Sequence, residues 1–235
     1  MTTTLITGAN KGLGYETARQ LIAAGHTVYL GCRDPQRGQS AADQLGARLV
    51  HLDVTDDESV SAAVEFIDQE GGLDVLVNNA GVEGRGEHNS IINAAAVTAD
   101  MVREVFDTNV FGAVRVTHAF LPLLQRSAAP VVVNVSSSLG SLSLAESPES
   151  PTYHYPGVAY PASKSALNMI TVQFAKQFPE MRINAVEPGY TNTDLNGRTG
   201  TQTVEEGARI IVEMAQTPPE GPTGGYCSAH GPIPW

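Results

Sequence analysis

The chain has 235 residues, of which 42% are hydrophobic and 17% charged, a balance that excludes a disordered tail and allows a substantial core. Its formal net charge of −11, with no local basic patch, argues against nucleic acid and against anionic membrane surfaces as partners. Only Cys32 and Cys227 are present, without metal-ligand spacing, and Met1-Thr2-Thr3-Thr4 leads into a strand without a signal peptide, so a reducing cytoplasm and no metal site are expected.

Strand-like runs are read at 4–6, 26–32, 47–54, 73–77, 130–135, 182–186 and 225–228. Helical patterns lie between them at 13–24, 37–45, 57–70, 99–125, 159–177 and 204–214. The runs Val75-Leu76-Val77 and Val131-Val132-Val133 are apolar without alternation, as in a parallel sheet covered on both faces. The fold expected is α/β, a single doubly wound domain over 1–235 with about seven strands and helices on both faces. Two irregular stretches, 81–94 and 139–157, read as surface loops long enough to be functional.

The first strand runs into Thr7-Gly8-Ala9-Asn10-Lys11-Gly12-Leu13-Gly14 and then a helix. Such a turn presents free N–H groups and the positive end of the helix dipole to an anion, which suits a pyrophosphate. Its glycine spacing differs from Gly-x-Gly-x-x-Gly, but its place after the first strand is where a doubly wound sheet binds a dinucleotide. The second strand ends Cys32-Arg33-Asp34. Where an NAD site commonly puts a carboxylate, Arg33 stands ready to bind the 2′-phosphate of NADP, with Lys11 as a second cation; NADP is therefore expected, with NAD as the alternative. Asp34 complicates that assignment. Asp53-Val54, after the third strand, is either an adenine contact or a solvated strand end.

In the stretch Tyr160-Pro161-Ala162-Ser163-Lys164, helical spacing sets an ammonium beside a phenol. The positive charge is expected to lower the phenol pKa from about 10 and make it a working acid.

Together, Thr7-Gly8-x-x-x-Gly12-x-Gly14, Asp53, Asn78-Asn79-Ala80-Gly81, Asn109, Ser136-Ser137, Tyr160-x-x-x-Lys164 and Pro188-Gly189-x-x-x-Thr193 span almost the whole chain. With them the sequence resembles the short-chain dehydrogenase/reductase family, and within it the carbonyl-reductase-like members. The resemblance implies a Rossmann-type domain that transfers a hydride between nicotinamide and a carbonyl or alcohol carbon. It makes Tyr160 the general acid in reduction and base in oxidation, Lys164 the binder of the nicotinamide ribose, and Ser137 the donor to the substrate oxygen. Asn109 is implied to keep a water in a proton relay to the lysine. Asn79, with Ala80 and Gly81, reads as support for the sheet beside the cofactor, and the segment from Pro188 and Gly189 through Thr191 to Thr193 as the holder of the nicotinamide carboxamide.

Ser137 and Tyr160 are separated by an insertion, 139–157, expected near the active site. Such an insertion can cover a surface used for helix pairing, so monomer and homo-oligomer both stay open. Tyr153, Tyr155 and Tyr190 are either an aromatic wall of the pocket or simple packing. The function expected is NADP-dependent reduction of small ketones or aldehydes, or oxidation of secondary alcohols. The alternative is a catalytically silent nucleotide sensor or scaffold on the same fold.

Overall fold

The computed structural model describes residues 2–235. Strand β1 (Thr3–Thr7) leads into helix α1 (Gly12–Ala23), and β2 (Thr27–Cys32), α2 (Pro35–Leu45), β3 (Arg48–His51) and α3 (Asp57–Gln69) complete the first half. The second half runs β4 (Val75–Asn78), α4 (Ala99–Phe106), a π-helical turn Asp107–Gly112, α5 (Ala113–Leu124) and β5 (Val131–Val135). It continues through α6 (Leu142–Ala145), α7 (Ala159–Gln177), β6 (Arg182–Glu187), α8 (Val204–Ala215), β7 (Tyr226–Ser228) and β8 (Gly231–Pro232).

The strands form one sheet in the order β3-β2-β1-β4-β5-β6-β7-β8. All neighbours are parallel except the β7–β8 pair. This is the doubly wound Rossmann-type architecture expected, with one more strand than the seven read from the sequence. Gly231-Pro232 is too short and too rich in Gly and Pro to carry a strand signal, and it pairs only because the chain folds back on β7.

Both faces of the sheet are covered, which is why its central strands carry no alternation. Leu76, Val132 and Ile183 point to one layer, where they meet Val60 and Ile67 of α3 and Val116, Phe120 and Leu124 of α5. Val75, Val77, Val133 and Val186 point to the other, against Ala18 and Leu21 of α1, Ala41 and Ala42 of α2, and Ile210, Ile211 and Met214 of α8. Strand order reverses between β1 and β4, and the crevice at the carboxyl ends there is the expected ligand position of such a sheet.

The helix read as continuous over 99–125 is broken by the π-helical turn Asp107–Gly112. Such insertions gather at functional sites. Gly112 permits this one, since a Cβ there would come within 2.7 Å of Val54 Cγ2. The insertion 139–157 is also more ordered than a plain loop: besides α6 it holds 3₁₀ turns at Ser138–Gly140 and Pro151–His154.

Gly140 lies against α7 so closely that a Cβ would stand 2.8 Å from both the carbonyl carbon and the Cβ of Lys164. Gly140→Ala is therefore expected to destabilise the protein by about 1–3 kcal/mol through overpacking. Urea unfolding checks this, and an unchanged midpoint would contradict the close approach.

Candidate active site

A groove of about 1270 Å³ runs along the carboxyl ends of the strands. Of the residues singled out in the sequence, Gly8, Asn10, Lys11, Gly12, Leu13, Gly14, Arg33, Asp53, Val54, Asn79, Ala80 and Gly81 line it. So do Ser137, Tyr160, Lys164, Pro188, Gly189, Thr191 and Thr193. Asn109 stands behind this wall.

The glycine turn has the backbone its residues foretold. Gly8 has φ +64°, a conformation costly for any side chain, and its missing Cβ lets Ala80 Cα approach. At Gly14 a Cβ would lie 2.5 Å from Asn79 Nδ2, an amide that donates to the carbonyls of Thr7 at 2.8 Å and Gly8 at 3.2 Å. Asn79 is thus a brace for the turn. Thr7 Oγ1 completes the joint by accepting from the N–H groups of Asn79 at 3.0 Å and Ala80 at 2.9 Å. The result is a cradle of backbone at a helix N-terminus with room for a phosphate group, so the residues present fit a dinucleotide.

At the end of β2, Asp34 is already committed. One carboxylate oxygen caps α2 by accepting from Gln36 and Arg37 N–H at 3.0 and 3.1 Å, and the other lies 3.3 Å from Arg37 Nε. Arg33 is exposed at the groove. Lys11 is placed otherwise than foreseen: its ammonium pairs with Asp194 at 2.9 Å, which also pairs with Arg198 at 2.7 Å. Burial would raise the Asp53 carboxyl, but the Thr55 N–H and hydroxyl at 2.9 and 2.7 Å outweigh it and hold the group below its usual range.

Tyr160 and Lys164 both lie in the first two turns of α7, where Pro161 costs nothing because first-turn N–H groups have no helical partner. The lysine is buried; its Nζ donates to the Val135 carbonyl at 2.8 Å and lies 5.5 Å from the centre of the Tyr160 ring. Loss of water lowers its pKa to about 8. Tyr160 moves opposite to the sequence expectation: burial, and then the negative charge of Glu83, push its phenol above the ordinary value. A hydrogen bond with the Ser137 hydroxyl pulls it down in part, and Glu187 pushes it up again. The physical reason is that loss of water on burial, which disfavours the phenolate, outweighs the help expected from the neighbouring ammonium.

Asn109 sits in the π-helical turn with both ends of its amide hydrogen-bonded. Oδ1 accepts from Val82 N–H at 2.8 Å, while Nδ2 donates to the Val82 carbonyl at 2.8 Å and to Ser163 Oγ at 3.0 Å. Ser163 in turn donates to the Tyr160 carbonyl at 2.7 Å. The side chain thus braces the loop after β4 against the first turn of α7.

Glu83, Arg85 and Glu187 are among the groove residues that escaped the sequence reading. Glu83 is paired with Arg85 through two bonds of 2.9 and 3.0 Å and accepts from the Tyr155 hydroxyl at 2.7 Å. With the Asn93–Gly157 bridge, this ties the two irregular stretches into one wall beside Tyr160. Glu187, the last residue of β6, also faces the groove. Nothing in their local sequence separates such carboxylates from solvated ones. Of the tyrosines considered, Tyr155 and Tyr190 line the groove, whereas Tyr153 is exposed and packs edge-on against His154. Among the described residues no helix is long and apolar enough to cross a membrane.

A lysine lowered to about 8 from an ordinary 10.5 has a definite linkage. Between those values the unfolded chain holds more protons than the folded one, so stability rises with pH across that window. Relative to Lys164→Met, the unmodified protein is expected to gain about 1.4 kcal/mol per pH unit, up to roughly 3 kcal/mol in all. Urea unfolding of both proteins from pH 7 to 10.5 measures the difference, and a constant offset would contradict the burial of the ammonium.

The short chain dehydrogenase family matches residues 2–204. A (+)-neomenthol dehydrogenase of Capsicum annuum is 33% identical, with 94% of this chain and 93% of the relative covered. A salutaridine reductase of Papaver bracteatum is 32% identical over 94% of this chain and 92% of the relative. Among solved structures, the NADPH-bound carbonyl reductase from chicken fatty liver superposes with a TM-score of 0.86 at 27% identity, covering 100% of this chain and 99% of that one. Nothing favours the silent scaffold. With that family match over most of its length and these relatives, the chain belongs to the short-chain dehydrogenases, as a carbonyl-reductase-like oxidoreductase.

Proposed function

We propose that the protein is an NADP-dependent reductase of small ketones and aldehydes, running in reverse on secondary alcohols, in the cytoplasm. The observation that carries this reading is that the Tyr160 phenol, the Ser137 hydroxyl and the buried Lys164 ammonium line one groove together with the exposed Arg33. Both cysteines are free, which suits a reducing compartment.

In the proposed reduction, Gly8, Asn10, Gly12, Leu13 and Gly14 hold the pyrophosphate, Asp53 and Val54 flank the adenine, and Asn79, Ala80 and Gly81 stand beside the adenosine ribose. Arg33 grips the 2′-phosphate, and Lys11 joins it by leaving Asp194, an exposed pair worth little. Lys164 holds the nicotinamide ribose, and the segment bearing Pro188, Gly189, Thr191 and Thr193 fixes the carboxamide. When bound, the cofactor supplies the hydride to the carbonyl carbon. Ser137 donates a hydrogen bond to the substrate oxygen, orienting it, and Tyr160 delivers its proton to that oxygen as the alcohol forms. Asn109 keeps the π-helical turn in the shape that this requires, the place where the family resemblance puts a relay water to the lysine.

Following nicotinamide absorbance with NADPH against a panel of ketones and aldehydes tests the reading, and no consumption with any of them would sink it. Arg33→Asp is expected to lower kcat/KM for NADPH about 10- to 150-fold more than for NADH, the worth of about 1.5–3 kcal/mol of charged hydrogen bonding. Equal losses with the two cofactors would remove Arg33 from the phosphate site.

A further inference from the structure

We propose that Tyr226 is a positioning residue for this reduction: held by Trp235 and the C-terminal hairpin, its hydroxyl anchors the turn that carries Ser137, the proposed donor to the substrate oxygen. This role rests on the reductase reading above and adds to it two residues that do not line the groove.

Ser137 continues β5 in an extended conformation and then caps the 3₁₀ turn Ser138–Gly140, its hydroxyl accepting from Leu139 N–H at 3.3 Å. A hydroxyl at the head of so short a turn is only as well placed as the turn itself. The turn's own bond, from Gly140 N–H to the Ser137 carbonyl at 2.8 Å, is local and does not fix it to the rest of the fold. Two outside elements do that. From α7, the Ser165 hydroxyl and the Asn168 amide donate to the Gly140 carbonyl at 2.9 and 3.2 Å. From β7, the Tyr226 hydroxyl donates to the Ser137 carbonyl itself at 2.5 Å, with β6 lying between β7 and β5.

Tyr226 is buried, and a phenylalanine would fill nearly the same space; its hydroxyl is tolerated there because it has this acceptor. The chain beyond it secures the ring. Strand β8 folds back antiparallel on β7, Ile233 N–H donates to the Tyr226 carbonyl at 2.9 Å, and the Trp235 ring stacks on Tyr226 with centroids 5.2 Å apart. The same segment grips the chain just after the turn. Buried Ser141 donates to the Pro234 carbonyl at 2.6 Å, and the Trp235 carbonyl accepts from the N–H and the hydroxyl of Ser143 at 3.1 and 2.7 Å. The stretch from Ser137 to Ser143 is thus tied at both ends to the C-terminal hairpin and in its middle to α7. Tyr160 and Lys164 ride on α7, so the placement of Ser137 relative to them depends on how that stretch is held. Transition-state geometry is sensitive to displacements of about 1 Å in such a donor.

The test reads single-turnover hydride transfer from NADPH to a ketone, with NADPH binding followed by nucleotide fluorescence, in Tyr226→Phe, Ser137→Ala and the double variant. Tyr226→Phe is expected to slow transfer about tenfold, since a displaced donor loses part of its transition-state bond. NADPH binding is expected to stay within about threefold, because the loss falls on the transition state and not on the cofactor. The double variant decides between positioning and packing. Once Ser137→Ala has removed the donor, its placement has nothing left to act on, so adding Tyr226→Phe changes the rate by less than about twofold. The same tenfold loss in both backgrounds makes Tyr226 a packing residue and overturns the assignment, as does a Tyr226→Phe protein within about twofold of the unmodified rate. Either outcome leaves the reductase reading standing. Should Tyr226→Phe not fold, Trp235→Ala, at an exposed position, carries the same comparison in the two backgrounds, with Trp235→Phe expected to restore the rate; equal losses there overturn the assignment likewise. A Ser137→Ala protein as fast as the unmodified one removes the donor role and the assignment with it. An unmodified protein that reduces no carbonyl with NADPH overturns both the assignment and the reductase reading.

Discussion

One buried ammonium organises this site. Lys164 gives up water to donate to the Val135 carbonyl at 2.8 Å, and that bond joins α7 to the end of β5. A buried charge so thinly partnered is costly, which is why its pKa drops to about 8. The surrounding contacts hold it in place. Asn168 donates to the Gly140 carbonyl at 3.2 Å and accepts from Ser136 at 2.6 Å, and Ser165 reaches the same carbonyl at 2.9 Å. Once the helix is pinned, Tyr160 follows by the pitch of one turn and lines the groove with Ser137, which lies on the strand's own continuation.

The same economy sets the other end of the groove. Asn79 and Thr7 fasten the glycine turn to the end of β4, and Asn109 fastens the next stretch of that loop to α7 through Ser163. Both asparagines spend their amides on backbone groups that irregular segments would otherwise leave unpaired. Helix α7 and the glycine turn are thereby both fastened to the end of β4 and the loop that follows it. The negative charges of Glu83 and Glu187, which a lone Tyr-Lys pair lacks, add to burial in raising the phenol's proton affinity.

How legible this was follows from what kind of signal each feature leaves. The sheet and its helices were readable because burial on both faces writes continuous apolar runs such as Val131-Val132-Val133, while Gly8 and Gly12 mark a left-handed backbone that other residues adopt at a cost and Gly14 a close approach of Asn79. Site residues carried by those elements came with them. What stayed hidden depends on tertiary contact. The π-helical turn packs Gly112 against Val54, 58 positions away in sequence, and the Gly231-Pro232 strand forms by folding onto β7. The rise of the Tyr160 pKa was missed because spacing shows an ammonium nearby and says nothing of its dehydration, or of carboxylates arriving from β6 and from the loop after β4. Lys11 likewise reads as a free cation until Asp194, far along the chain, is seen to hold it.

The central claim is that Tyr160 hands its proton to the substrate oxygen. The most direct measurement is single-turnover hydride transfer by Tyr160→Phe, with NADPH binding followed on the same samples. The account predicts cofactor binding unchanged within about threefold and a transfer rate lower by about 10²–10⁴-fold, the usual worth of general acid catalysis. A Tyr160→Phe protein that binds NADPH and reduces ketones at nearly the unmodified rate would contradict it.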